Sequence, residues 1–176
     1  LTPGTHPPRS PPRIARQTVF HGGTHPSALT LEVFEDGRAL NRELISMCGV
    51  SLVIALLEHL GMGSPEVVQH IPTINQYYLQ GMTEAQGPDY KKMIVQGLMM
   101  NIWYDMNVTL ESLKQLDAVD AAMGFILDNI GAMEHEFEIK RLLIGLSSLL
   151  MSPGQMDSAV HARSTDFMRA ICYLCE

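Results

Sequence analysis

The chain has 176 residues, 46% apolar and 18% charged, which is enough to bury one sizeable core. Its formal charge of −7 is unevenly split: residues 1–42 hold five Arg and three acids, while residues 43–176 hold seven basic and sixteen acidic residues, a net of −9. An acidic folded part argues against a nucleic-acid surface and draws basic partners by long-range attraction, although acids also serve solubility alone.

Residues 1–28, "LTPGTHPPRSPPRIARQTVFHGGTHPSA", carry six of the ten prolines. Each fixes φ and removes a donor, so residues 1–40 are expected to be disordered, as a linker or sequence foreign to the fold, with a polyproline ligand as the alternative. From Asn41 the apolar period becomes helical. "NRELISMCGVSLVIALLEHLG" is apolar almost all round, which predicts a helix buried on several sides. Gly61 and Gly63 end it. Ser64-Pro65 restarts a helix with Ser as cap, running to about residue 84, with Pro72 kinking it or shortening its start. After the turn Gly87-Pro88-Asp89 comes "DYKKMIVQGLMMNIWYDM", closed by Trp103 and Tyr104. "NVTLESLKQL" is a short connecting helix with Val108, Leu110 and Leu113 inward. Asp117 is expected to cap "AVDAAMGFILDNIGAM". "HEFEIKRLLIGLSSLLM" then holds a clean i, i+3, i+4, i+7 pattern in Ile139, Leu142, Leu143, Leu146, Leu149 and Leu150. Ser152-Pro153-Gly154-Gln155 has capping-box spacing before a last helix to Cys175. No strand pattern is present.

A repeat runs through these helices. Gly49-Val50, Gly97-Leu98 and Gly145-Leu146 are spaced by 48 residues, followed in each case by Ile54, Ile102 and Leu150. Ile71 matches Val119 at the same offset, Tyr78 matches Ile126, and Met82 matches Ile130. Helix pairs at roughly 40–47 residues mark HEAT-type solenoids. A mid-helix Gly costs about 1 kcal/mol relative to Ala, so three at one offset require a reason such as close helix approach. The predicted architecture is an all-α superhelix of about three helix pairs over residues 41–176, a HEAT/armadillo-like solenoid. Its A helices lie at about 43–60, 89–106 and 135–151, and its B helices at about 65–84 and 117–132.

Few residue groups suggest chemistry. Cys172-Tyr173-Leu174-Cys175 has CxxC spacing, but zinc needs four ligands and no second pair exists. Two half-buried helical cysteines is the expected reading, with a small thiol protein as a functional alternative. The odd Cys count suits a reducing compartment. His135 with Glu134, Glu136 and Glu138 reads as a solvated helix start whose acids face the positive helix end. His6, His21 and His25 fall in the Pro-rich segment. No phosphate-loop, nucleophile-elbow or zincin motif occurs, so no enzyme activity, cofactor or metal is expected. No signal-like leader follows Leu1, and "SLVIALL" is far short of the roughly 18–20 residues of a membrane span. The missing initiator Met and the apolar ending "AICYLCE" suggest a piece of a longer protein.

The segments "QHIPTINQYYLQGMTE", "IVQGLMMNIWYDMNVTLESLKQLD" and "EIKRLLIGLSSLL" carry a family resemblance. From about Gly49 to Leu150 the chain resembles the C-terminal HEAT region of the importin-β superfamily, nearest to the importin-seven and importin-eight type. Trp103-Tyr104-Asp105 stands where that family has an aromatic pair followed by Asn. Phe137-Glu138 stands where it has His-Asp, and Lys140 with Gly145-Leu146 matches its last step. The resemblance implies a nuclear transport receptor that shuttles between cytoplasm and nucleus with protein cargo and releases it on binding the GTPase Ran. The Ran-binding repeats would lie outside this chain. A concave surface lined by B helices is implied, so Glu66, Glu84, Asp117, Asp120 and Asp128 are the candidate contacts for basic cargo. Met99, Met100, Trp103, Tyr104 and Met106 are candidates for an apolar groove taking a Phe-Gly nucleoporin side chain, or else for interhelix core. The competing reading is a HEAT scaffold of another complex, such as a phosphatase or chromatin assembly.

Overall fold

A computed structural model of the chain describes residues 38–60, 62–151 and 158–176, without the side chains of 38–41. Every regular element among the described residues is helical. In chain order they are α1 (Arg38–His59), α2 (Pro65–Val68), α3 (Ile71–Glu84), α4 (Pro88–Tyr104), α5 (Met106–Gln115), α6 (Val119–Asn129), α7 (Glu136–Met151), α8 (Ser158–Ala162) and α9 (Ser164–Leu174). A 3-10 turn at Ile130–Ala132 follows α6. The disorder expected of residues 1–40 falls outside the described residues up to residue 37, as does the capping box at Ser152, while residues 38–40 are helical.

Local chemistry explains most helix ends. Three good helix formers, Arg38, Ala39 and Leu40, start α1 ahead of the predicted Asn41. The predicted helix 65–84 is two helices. Pro72 sits in the first turn of α3, where its missing N–H costs nothing, so the break falls at Gln69–His70. Ser64 does not cap α2; its hydroxyl donates to the Glu66 carboxylate instead. α4 ends at Tyr104 as expected. Asp105 then caps α5, its Oδ1 accepting from the Val108 N–H at 3.0 Å. Asn at this position would cap equally well.

Asp117 is not the cap of α6. It has φ 52°, and α6 starts after Ala118. The Asp117 N–H donates to the Lys114 carbonyl and the Ala118 N–H to the Leu113 carbonyl. Those two bonds are a Schellman stop for α5, with Asp117 as the left-handed residue. Asp tolerates that conformation better than most side chains. Leu113 and Ala118 are both buried.

The helices stack as an α–α superhelical repeat. α1, α4 and α7 lie side by side with α4 in the middle. On the other side α3 packs on α4 and α5, α6 packs on α5 and α4, and α9 packs on α6 and α7. The central place of α4 shows in its burial: residues 94 to 102 are all buried. Burial on several sides was expected of α1, whose sequence is apolar almost all round. α1 is instead an edge helix, and it exposes Leu44, Ile45, Leu52 and Leu56.

The 48-residue offset is visible in the packing. Ile71 and Val119 are buried, as are Tyr78 and Ile126; Ile130 is buried and Met82 half-buried. The three glycines differ, however. A Cβ on Gly97 would lie 2.6 Å from the Tyr78 ring. One on Gly145 would lie 2.8 Å from both the Met99 carbonyl oxygen and the Met99 Cβ. At Gly49 the nearest atom is the Tyr77 hydroxyl at 3.7 Å, an ordinary contact. Close approach thus explains the second and third glycine, with a B helix pressing on one and an A helix on the other.

Candidate functional site

The five acids proposed for cargo sit on different elements. Glu66 is on α2 and Glu84 ends α3, so the 14 residues of α3, about 20 Å of helix, stand between them. Glu66 is engaged by Ser64, which holds its carboxyl below the ordinary value. Glu84 accepts from Gln80 Nε2 at 2.8 Å. Asp120 is bound by Arg163 through Nε and Nη2 at 2.9 and 2.8 Å. Asp128 is exposed, and Asp117 is exposed at the Schellman stop. The apolar candidates divide differently. Met99, Met100 and Tyr104 are buried core, while Trp103 and Met106 are half-buried and packed against it. The core alternative describes the first three, which offer no open groove.

A cleft of about 340 Å³ does exist elsewhere, lined by Arg42, Glu43, Ser46, Glu84, Gln86 and Tyr90. It opens between the start of α1 and the α3–α4 turn. Glu43 forms one wall and also ties the turn: its Oε1 accepts from the Gln86 and Gly87 N–H groups, the latter at 3.1 Å. This places a carboxylate at the positive end of α4. Burial pushes the Tyr90 phenol above its ordinary value. The lining mixes a guanidinium and two carboxylates with the Tyr90 ring.

A polar seam joins α1, α4 and α7. Arg141 binds Glu58 with Nε at 2.7 Å and Nη2 at 3.2 Å, and its Nη1 donates to Gln96 Oε1 at 2.8 Å. Its guanidinium also lies over the Phe137 ring, 5.2 Å from the centroid, and Phe137 stacks on His135 at 5.5 Å. Lys92 reaches Asp89 at 3.3 Å and Glu138 at 3.9 Å.

Glu138 anchors this seam and is the exception to the solvated start expected of residues 134–138, where Glu134, His135 and Glu136 are exposed. It is buried, and its Oε2 accepts from the Glu134 and His135 N–H groups at 3.0 Å each. Burial by itself would raise its pKa. The two N–H donors and the charges of Lys92 and His135 outweigh that and hold it below the ordinary glutamate value. A depressed folded pKa adds stability above the unfolded value of about 4.3, and that stability is lost as pH falls through the folded value. Glu138→Gln keeps an acceptor but loses the charge. It is expected to lower stability by about 1 kcal/mol at pH 7, with the difference closing below about pH 4. Urea titrations at both pH values check this; a pH-independent difference would contradict it.

A second network is buried between α3, α4 and α5. Asn75 Nδ2 donates to the Thr109 carbonyl and to Ser112 Oγ, and Asn101 Nδ2 donates to Asn75 Oδ1 at 2.9 Å. Thr109 Oγ1 donates to the Asn101 and Asp105 carbonyls. Two buried atoms, Tyr78 Oη and Asn101 Oδ1, have no partner among the described residues. Burial keeps the Tyr78 hydroxyl protonated, far above its ordinary pKa. An unsatisfied buried hydroxyl costs about 1–3 kcal/mol, so Tyr78→Phe is expected to leave the melting temperature unchanged or raise it. A clear drop would show that the hydroxyl has a partner.

The cysteines differ from expectation. Cys172 and Cys175 are exposed rather than half-buried, because α9 turns Phe167 and Ala170 inward. Among the described residues no group of three His, Cys, Asp or Glu is placed to hold a metal ion. No described helix is long and apolar enough to cross a membrane. No family model, no curated protein and no solved structure matches the chain.

Proposed function

We propose that the chain is a helical-repeat segment of an importin-like nuclear transport receptor, a non-enzymatic scaffold that presents a surface to basic protein cargo. The observation that carries this reading is the stack itself: the 48-residue offset sets equivalent buried positions on successive helix pairs. The resembling segments fall on α3, on α4 with α5, and on α7, which are consecutive parts of that stack. The net charge of −7 supports basic partners. Ran and nucleoporin binding, and shuttling between cytoplasm and nucleus, belong to the same reading. Ran contact falls to repeats outside this chain.

The structure changes which acids to test. Asp120 is already paired with Arg163, an exposed ion pair worth at most about 1 kcal/mol, so removing it mixes two effects. Glu84→Gln and Asp128→Asn remove exposed charge without breaking a cap, and Asp117→Asn preserves the left-handed turn. The combined variant is expected to slow association with a Lys/Arg-rich import peptide severalfold at low salt while changing dissociation little. Raising salt should abolish the difference, because screening acts over about 8 Å at physiological ionic strength. Stopped-flow titration reads both rates. Equal on-rates, or no binding by the wild-type chain, would overturn the cargo reading and leave a scaffold of another complex as the better account.

A further inference from the structure

Helix α9 buries Phe167 and Ala170 and turns a sulfur-bearing face to solvent. Met168 is 52% exposed, and Cys172 and Cys175 are exposed. The three stand at i, i+4 and i+7. At 3.6 residues per turn they fall within an arc of about 60° on the helix. Met168 with Cys172, and Cys172 with Cys175, have the spacings at which Cβ atoms lie about 5–6 Å apart. The three rotatable bonds of Met168 let its sulfur swing toward the two thiols. Among the described residues no group of three His, Cys, Asp or Glu is assembled for a metal ion, and a thioether lies outside that donor set.

We propose that Met168, Cys172 and Cys175 form a binding site for a soft monovalent cation, Cu(I), held by three sulfurs. The donor set selects the metal. Thiolate and thioether favour Cu(I), whereas a zinc site takes four ligands from thiolate, imidazole and carboxylate. On binding, two S–H bonds break, both protons pass to water, and two copper–thiolate bonds form. Met168 adds a thioether lone pair. Copper stays Cu(I), so no electron moves. The loaded site carries one negative charge, which the negative end of α9 opposes and the exposed Arg169 beside Met168 offsets. Because the thiols must lose protons, affinity rises with pH. A disulfide is the competing fate of the two cysteines. It needs Cβ atoms about 3.5–4.5 Å apart, closer than the roughly 5–6 Å of a helical turn. A metal ion about 2.3 Å from each sulfur, as in zinc thiolates, spans the wider gap without distorting the helix. The site belongs to one helix face and does not depend on the transport reading.

The full chain, reduced and free of oxygen, is titrated with Cu(I) against a chromogenic Cu(I) chelator, and copper X-ray absorption counts the sulfur neighbours. The expected result is one copper per chain with three sulfurs. Bound copper should protect Cys172 and Cys175 from alkylation, read by mass spectrometry, and leave Cys48 reactive. Cys172→Ser and Cys175→Ser should each weaken binding by at least the roughly 10–100-fold that loss of an outer-shell partner costs. Met168→Leu keeps the apolar bulk, and should leave two sulfurs and weaken binding about tenfold. Cys48→Ser should change neither count nor affinity. All these positions are exposed, so helical circular dichroism should not change, and the wild-type alkylation pattern needs no variant. A chain that takes no copper from the chelator overturns the proposal. So does copper that protects Cys48 or survives Cys172→Ser, which places the metal elsewhere. Two sulfurs in the wild type overturn the part given to Met168, and Zn(II) held more tightly than Cu(I) overturns the choice of metal.

Discussion

Leu146→Ala is expected to lower the stability of the folded unit by about 2–5 kcal/mol, the largest effect of any single truncation considered for this chain. Leu146 lies in the middle of α7, is fully buried, and is flanked on the same side by Leu142 and Leu149, both also fully buried. That side rests on α4, whose own residues around Leu98 and Ile102 are fully buried. A close-packed site with helices on several sides cannot collapse to refill the volume of an isobutyl group, so the cavity cost adds to the lost transfer energy. Denaturant unfolding monitored by circular dichroism checks it. A midpoint within the scatter of wild type, at unchanged slope, would mean that this stripe faces solvent and that the helix phase is wrong.

Gly145→Val is the second large expectation, a loss of about 1–3 kcal/mol or more from overpacking. The added Cβ would meet the Met99 carbonyl oxygen at 2.8 Å, and a backbone atom cannot swing aside as a side-chain tip can. Valine also lacks alanine's helix propensity, so little is gained in return. Gly49 provides the control two repeats earlier. Its nearest neighbour would stand at 3.7 Å, so Gly49→Ala should stabilise by up to about 1 kcal/mol through helix propensity alone. Opposite signs at one position of two repeats are a sharper check than either value. Thermal melts of both variants give the signs. Destabilisation by Gly49→Ala would show that all three glycines serve one close contact.

Much of this fold was legible because helical period is a local property. The stripe of α7, the inward faces of α5 and the end of α4 at Tyr104 each follow from residues within a few turns of one another. The 48-residue offset extended that reading to the stacking. Local reading failed where a residue type serves two opposite ends. Asp117 stands between two helices, and an Asp can cap the next helix or stop the previous one in a left-handed turn. The bonds from Asp117 and Ala118 back to α5 decide for the stop. It failed again for α1, since an all-apolar helix reads as buried whether or not a neighbour exists on each side.

The polar sites were illegible for a different reason. Glu43 holds N–H groups 43 and 44 residues away, Arg141 holds Glu58 across 83 residues, and Asn75 meets Ser112 across 37. No periodicity encodes such partners. Glu138 was the exception that spacing offered: it stands three residues after His135, the place a capping-box acid occupies, but the first position is His rather than Ser or Thr.

The central claim is that α1, α4 and α7 form one layer with α4 between the outer two. Ser51 on α1 and Ser147 on α7 are exposed and stand at equivalent repeat positions. Spin labels at Ser51→Cys and Ser147→Cys, in a chain with Cys48, Cys172 and Cys175 replaced by Ser and diluted with unlabelled chain, measure their separation directly. Two helix spacings of about 8–10 Å each predict a backbone separation of roughly 16–20 Å. A separation of a single spacing, about 8–10 Å, would put α1 directly against α7 in a closed bundle and contradict the stacked repeat.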